Sequence, residues 1–418
     1  MSDEITAVRA REVWDSRGLP TIEAEIVTAS GAVGRAIAPA GASTGRREAI
    51  ELRDGGTRLG GRGVRTAVAR VGELIDPALR GRDVADQVAV DAALDGLDAD
   101  PQRSMIGGNT TTAVSLAVAH AAAAAAGVPL WAHLDAEPAW IPRPQIQILG
   151  GGAHAAHRVA VQDFMAYPVS ATTIADALSD IAETYRAVGD VLRRRGLPRG
   201  VADEGGHWPE VADTRDALQV LVDGMRLAGL EPGRDMAIAL DIAATQFQVG
   251  DAYRVADAVY ETEAWIAELA LLSAEFPVST IEDPAGEDDE WGMSLAVERL
   301  DAIVVGDDFL VTDAARVAAA AEAGQVGAAL IKVNQAGTVT RAADAVAAAR
   351  SAGVAVIVSA RSGETEDVSV AHLATGWGAD IVKVGSITRG ERTAKWNELL
   401  RIDDACGGLP LAPVLHRA

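Results

Sequence analysis

Six short apolar runs decide how this chain folds: AIALD (Ala237–Asp241), VSTIED (Val278–Asp283), AIVVGDD (Ala302–Asp308), AALIK (Ala328–Lys332), VAVIVSAR (Val354–Arg361) and ADIVK (Ala379–Lys383). Each is long enough for one strand, closes on charged or polar residues, and is followed by a helix-like stretch. Counting from Asp241, the strand-end residues Glu282, Asp307, Lys332, Ser359 and Lys383 follow at 41, 25, 25, 27 and 24 residues. About 25 residues is what one strand and one helix need. Strands buried on both faces of a parallel sheet read as continuous apolar runs, as these do. The pattern predicts an α/β fold built on a (βα)8 barrel, whose strand C-termini converge on one mouth. Asp241, Glu282 and Asp307, then Lys332 and Lys383 with Arg361 between them, would share that mouth.

Upstream, QIQILGGGAHAAH (Gln145–His157) reads as a strand running into a glycine-rich turn that carries His154. VAVQDFMAYP (Val159–Pro168) places Gln162 and Asp163 in an apolar strand. A carboxylate buried there must be paired, metal-bound or functional. ADEGGHWPE (Ala202–Glu210) sets Asp203 and Glu204 before two glycines. PAWIPRP (Pro138–Pro144) holds three prolines in seven residues and reads as a connector. The expected organisation is an α+β N-terminal domain over 1–137, a linker over 138–144 and the barrel over 145–418. Within the first domain, 3–14 and 20–38 alternate like antiparallel strands around the turn SRGLP. Helical patterns follow at about 63–77, 86–97 and 110–126. AGASTG (Ala40–Gly45) reads as a mobile loop able to bring a hydroxyl to a ligand. EDDE (Glu287–Glu290) reads as a solvated loop without a role.

With 418 residues and a net charge of −23, the chain lacks the electrostatic footprint for nucleic acid or an anionic membrane. An anionic substrate would need a local cationic site or a bound metal. The single cysteine, Cys406, excludes an intramolecular disulfide and any multi-cysteine metal site. No basic start leads into an apolar core at the N-terminus, and Ala113–Leu134 is too interrupted for a membrane span, so a cytoplasmic location is expected. Only three of the 37 basic residues are lysines: Lys332, Lys383 and Lys395. A partly buried lysine can give up its proton where arginine cannot. Lys332 and Lys383 are therefore candidates for proton transfer or tight charge placement. No phosphate loop, H-E-x-x-H motif or nucleophile elbow is present. Three hard carboxylates, Asp241, Glu282 and Asp307, favour Mg²⁺ over zinc. A carboxylate-held metal beside lysines suits removal of a proton next to a carboxylate, where a doubly charged enolate must be stabilised.

From Arg11 to Ile402 the chain resembles the enolase family. REVWDSRGLPTIEAE, AGASTG, ELRDGG, GGAHA, DEGG, IEDP, GDD, KVNQAGT, SARSGETED and GSITRGERTAKWNELL stand in the family's order. The family is known for pairing a lysine or histidine base with Mg²⁺. The resemblance implies an α+β domain before an atypical eight-stranded barrel, a dimer or assembly of dimers, and Mg²⁺-dependent loss of water from 2-phosphoglycerate. It implies that Asp241, Glu282 and Asp307 hold one Mg²⁺ and that Ser43 reaches a second. Lys332 would be the base, Lys383 would hold the substrate carboxylate, and Glu204 would help the 3-hydroxyl leave. Arg361 and Ser362 would bind phosphate, with Ser359, His154 and Gln162 also in the site.

Five departures set the chain apart from that pattern. Asp163 stands where the family has glutamate, Ala360 where it has histidine, and His157 where it has asparagine. His207, Trp208 and Pro209 replace Phe-Ala-Pro, and Gln246 replaces a glutamate. These changes gather around the substrate rather than across the fold. They favour a relative adapted to a different 2-substituted glycerate, phosphorylated or phosphonylated. The enolase-like synthase of carboxyphosphonoenolpyruvate in phosphinate pathways is an example: its extra carboxylate would occupy the space left at Ala360 and meet His157 or His207, with Asp163 among the catalytic residues. An ordinary enolase and a non-catalytic binding protein on the same fold are the alternatives.

Overall fold

The structure, a computed structural model, describes residues 3–155 and 159–417. The first domain opens with a three-stranded antiparallel sheet, Ile5–Trp14, Pro20–Thr28 and Val33–Ile37. Asp15 makes the first turn: its Oδ1 accepts the amides of Arg17 and Leu19 at 2.9 and 2.8 Å. The stretch expected as one strand over 20–38 is two strands, because the chain turns back at Gly31, whose φ of 88° suits glycine. The alanine-rich helix Gly108–Ala126 lies across this sheet. Its small side chains permit close approach: a Cβ on Gly34 would stand 2.1 Å from the Ala117 carbonyl. Tight packing thus accounts for the buried alanines up to Ala123. Among the described residues no helix is long and apolar enough to cross a membrane.

The barrel strands are Arg143–Gly150, Asp163–Pro168, Met236–Asp241, Val278–Glu282, Ile303–Gly306, Ala328–Ile331, Ala355–Ser359 and Ile381–Ser386. Pairing of the eighth strand with the first closes the barrel. The first strand begins at Arg143, inside the segment read as a connector, since a proline near a strand start is tolerated.

The third to eighth strands repeat in parallel as expected, but the second runs antiparallel to both neighbours. Residues 151–162 are barely the dozen that a crossover between parallel strands needs, and the chain folds back instead. Reversal places the start of the second strand at the mouth, where Asp163 pairs in register with Gly150 and with Asp241. The barrel interior below is packed with Met165, Tyr167, Ala239, Ile303, Val305 and Leu330, and the tail residues Val414 and Leu415 pack against it.

Candidate active site

Two lysines, Lys332 just past the sixth strand and Lys383 in the eighth, each face carboxylates. Lys383 Nζ lies 2.8 Å from Asp241 Oδ2, 2.7 Å from Glu282 Oε2 and 3.9 Å from Asp163 Oδ2. Lys332 Nζ lies 2.5 Å from Asp307 Oδ2. All six of these side chains are buried. Burial alone would lower the lysines, but Asp241 and Glu282 hold Lys383 well above its ordinary value. For Lys332 burial is again the largest effect and lowers it, but Asp307 and Glu282 with the other acids bring it above its ordinary value. A base lowered by cationic surroundings is therefore not what this geometry holds, because the nearest charge to Lys332 is a carboxylate. Glu282 is pushed well up by burial and then by Asp241, with Lys383 opposing. Its Oε1 is buried without a hydrogen-bond partner.

Amides fix the orientation of these acids. Gln162 Nε2 donates to Asp241 at 3.0 Å, and Gln246 donates in turn to Gln162. Gln335 Nε2 donates to Asp307 Oδ1 at 2.9 Å, and its own oxygen accepts from Thr312 at 2.7 Å. Asp283 accepts the amides of Asp307 and Asp308 at 2.9 and 2.8 Å, with its own φ at 40°. It braces the turn that presents Asp307.

Beside Asp241, on the second strand, Asp163 Oδ1 lies 2.9 Å from His154 Nδ1, whose Nε2 lies 3.9 Å from Glu204. Gln147 donates to the same Asp163 oxygen at 2.5 Å. Burial would lower the imidazole, yet Asp163 and Glu204 bring it up to about 9. Burial would raise Asp163, yet His154 and then Lys383 bring it down to about 2. Glu204 goes the other way: burial raises it, Asp163 adds to that, and His154 opposes. The site therefore pairs an ionised Asp163 with a carboxyl that favours its proton.

The lid closes the third side. Arg361 Nη2 donates to the Ser43 carbonyl at 2.9 Å, and Arg17 donates to the Ala40 and Gly41 carbonyls at 3.1 and 3.3 Å. Gly41 is needed there, since a Cβ would stand 2.0 Å from Arg361 Nη2. Arg361 is held in turn by Glu48 at 2.9 Å and Asn334 at 3.0 Å. Burial would lower its guanidinium, but Glu48 outweighs that and raises it.

One cavity gathers Ser43, His154, Gln162, Asp163, Glu204, Asp241, Lys332, Ser359, Ala360, Arg361, Ser362 and Lys383, with Ala42 beside them. Glu282 and Asp307 stand behind the two lysines. Ser362 Oγ is buried without a hydrogen-bond partner. His207 is not brought in. It lies on the strand His207–Pro209, stacks on Tyr185 at 4.1 Å between ring centroids, and its Nε2 is 3.0 Å from the Tyr185 carbonyl. His207 is not among the residues that line this cavity. His157 lies outside the described residues. Glu48, Gln147, Asn334, Gln335 and Asp283 went unread in the sequence. Only the buried setting of their motifs, KVNQAGT and IEDP among them, could have signalled them.

The donor set suits a divalent cation. Asp163, Asp241, Glu282 and Asp307 outnumber Lys332, Lys383 and His154, and Glu282 Oε1 has no partner. All are hard oxygens, which fit Mg²⁺. Two carboxylate groupings fit less well. In Asp283, Asp307 and Asp308, both Asp283 oxygens already accept amides. In His154, Asp163 and Glu204, the histidine is raised to about 9, so a metal there would have to displace its proton.

A barrel with acids and lysines at its strand ends, closed by a loop from an α+β domain, defines a class of two-domain acid–base proteins. Family models described as the enolase N-terminal domain and the enolase C-terminal TIM barrel domain match residues 5–134 and 138–410. The chain belongs to the enolase family.

Proposed function

We propose that this chain is an enolase-type dehydratase that removes the α-proton and 3-hydroxyl of a 2-substituted glycerate, giving an enolpyruvate ester and water. The observation that supports this most is the shared cavity: buried Lys332 and Lys383 face Glu204 across a space bounded by Arg361. Lys332 takes the proton from C2, and that C–H pair becomes the new double bond. The C3–O bond breaks, and Glu204, whose carboxyl burial shifts upward, gives its proton to the departing hydroxyl. Lys383 holds the substrate carboxylate. Arg361 and the free Ser362 hydroxyl hold the 2-substituent. Asp241, Glu282 and Asp307 would hold one Mg²⁺, with Ser43 toward a second. Such a metal would supply positive charge that stabilises the enolate. Were Asp307 engaged by a cation, Lys332 would lose that counter-charge and its pKa would fall.

Ala360 and Asp163 set the substrate apart from 2-phosphoglycerate in this reading. A bulkier ester is proposed, of the phosphonylated kind that a carboxyphosphonoenolpyruvate synthase handles. The test is exchange of the α-proton with solvent deuterium, followed by NMR, on 2-phosphoglycerate and on phosphonyl glycerates with Mg²⁺ present. Faster exchange on a phosphonyl ester is expected. Rapid turnover of 2-phosphoglycerate with no gain on any other ester would point to an ordinary enolase. Lys332→Ala should cut exchange at least 10³-fold, in line with the loss of a general base. A fully active variant would remove Lys332 from that role.

A further inference from the structure

Behind Ala360 lies a second cavity, of about 40 Å³, between the barrel and the first domain. Ser359 and Ala360 line both this cavity and the one that holds the lysines. A large side chain at 360 would stand between the two spaces, whereas a methyl leaves them adjoining. The far walls come from Ile37, Leu116, Ile331, Val358 and Leu373, all apolar and buried.

Apart from the Thr112 hydroxyl, which is buried without a partner, the polar groups around it are engaged. Asp367 accepts the amides of Ile37 and Ser369 at 2.8 and 2.7 Å. Glu364 is paired with Lys395 at 3.0 Å and accepts the Arg361 amide at 3.1 Å. Asn334 accepts from Arg361, and Ser369 bonds His120 at 2.8 Å. No lysine, arginine or histidine lines the cavity, and its two charged residues are both carboxylates. A carboxylate placed there would be buried without a counter-ion, which is strongly unfavourable.

Resting on the dehydratase reading above, we propose that this cavity is a specificity pocket for a small uncharged alkyl group carried on the phosphorus of the substrate's 2-substituent. Its size is on the order of a few water-sized groups, which fits an ethyl or propyl arm. The carboxylate-bearing arm suggested by the sequence alone suits this lining poorly.

The test uses the full-length protein with Mg²⁺ and a series of glycerates esterified at the 2-oxygen with methyl-, ethyl-, propyl- and carboxyphosphonate, beside 2-phosphoglycerate. Expected is a rise in kcat/KM of about 10-fold or more from methyl to ethyl or propyl, with the carboxyphosphonate lower than ethyl. Leu116→Phe fills the pocket from the first-domain helix, away from the reacting groups. It should cancel the alkyl preference and leave the methyl ester's rate within about threefold. The wild-type series tests the idea even where that variant folds poorly. Exchange on the esters with no alkyl preference, or with the carboxyphosphonate preferred, would overturn the pocket alone. Exchange on none of them would overturn the dehydratase reading and the pocket with it.

Discussion

His154 and Asp163 hold each other's charge inside the mouth, and that pair makes stability depend on pH. The folded imidazole sits at about 9 against an ordinary 6.5. The native state therefore binds this proton more tightly than the unfolded chain. The contribution is fully present below about pH 6.5 and is lost as pH rises through about 9. Asp163, lowered to about 2, contributes above its ordinary value and loses that contribution only in strong acid. Urea denaturation should show stability falling by on the order of 2–3 kcal/mol between pH 6.5 and 9. His154→Gln should flatten that window; an unchanged slope would place the titration elsewhere. At this scale the sequence was legible where residue type is scarce. The lysine count singled out Lys332 and Lys383, and the third lysine is also fully buried, donating to the Thr365 carbonyl at 2.6 Å. Adjacency of His207 to DEGG in the chain does not set which way its ring turns; in the structure it stacks on Tyr185.

At the scale of elements, the segment that reads as a solvated acidic loop is a clasp on the lid. Glu287 is 1% exposed and forms an ion pair with Arg46, whose amide also donates to it at 2.9 Å. Its own amide donates to Thr245 at 2.9 Å. Asp289 caps the helix Glu290–Arg299 by accepting the Gly292 amide. A run of four acids looks uniform in sequence, and only tertiary contact separates the buried from the exposed. The Arg46 side chain is largely exposed, so solvent screens its charge. The stranded amide of Arg46 is the larger loss when the carboxylate goes. Glu287→Ala should cost about 1–2 kcal/mol of lid docking. Trypsin cleavage after Arg46 or Arg47 would then rise about 10-fold with little change in global melting. Unchanged cleavage would mean that Arg17 and Arg361 suffice to hold the loop. The reversed second barrel strand was legible in principle: the link over 151–162 is half the spacing that the parallel repeat uses. The glycine-rich turn drew attention away from that length.

Across the whole molecule, the strand period made the barrel readable, because buried parallel strands leave unbroken apolar runs. What closes the far end of the barrel left no such trace. The last residues have no periodicity, yet Val414 and Leu415 pack against Tyr167, Ile303 and their neighbours inside the barrel. The Leu415 amide donates to the Tyr167 hydroxyl at 3.1 Å, and Arg417 donates to the Val297 and Glu298 carbonyls at 2.8 and 3.1 Å. Arg143 ties this end together by donating to the Ala412 carbonyl at 3.0 Å and to Pro168 at 2.9 Å. The active site lies at the opposite mouth, so the tail should bear on stability and not on chemistry. Deleting residues 413–418 uncovers the barrel floor and removes two aliphatic side chains, a loss of about 2–4 kcal/mol. The truncated protein should unfold at correspondingly lower urea, while α-proton exchange per folded molecule stays within about twofold of the full chain. A large fall in that rate at unchanged stability would show that the tail is coupled through the barrel to Lys332 and Lys383, against the separation of floor and mouth described here.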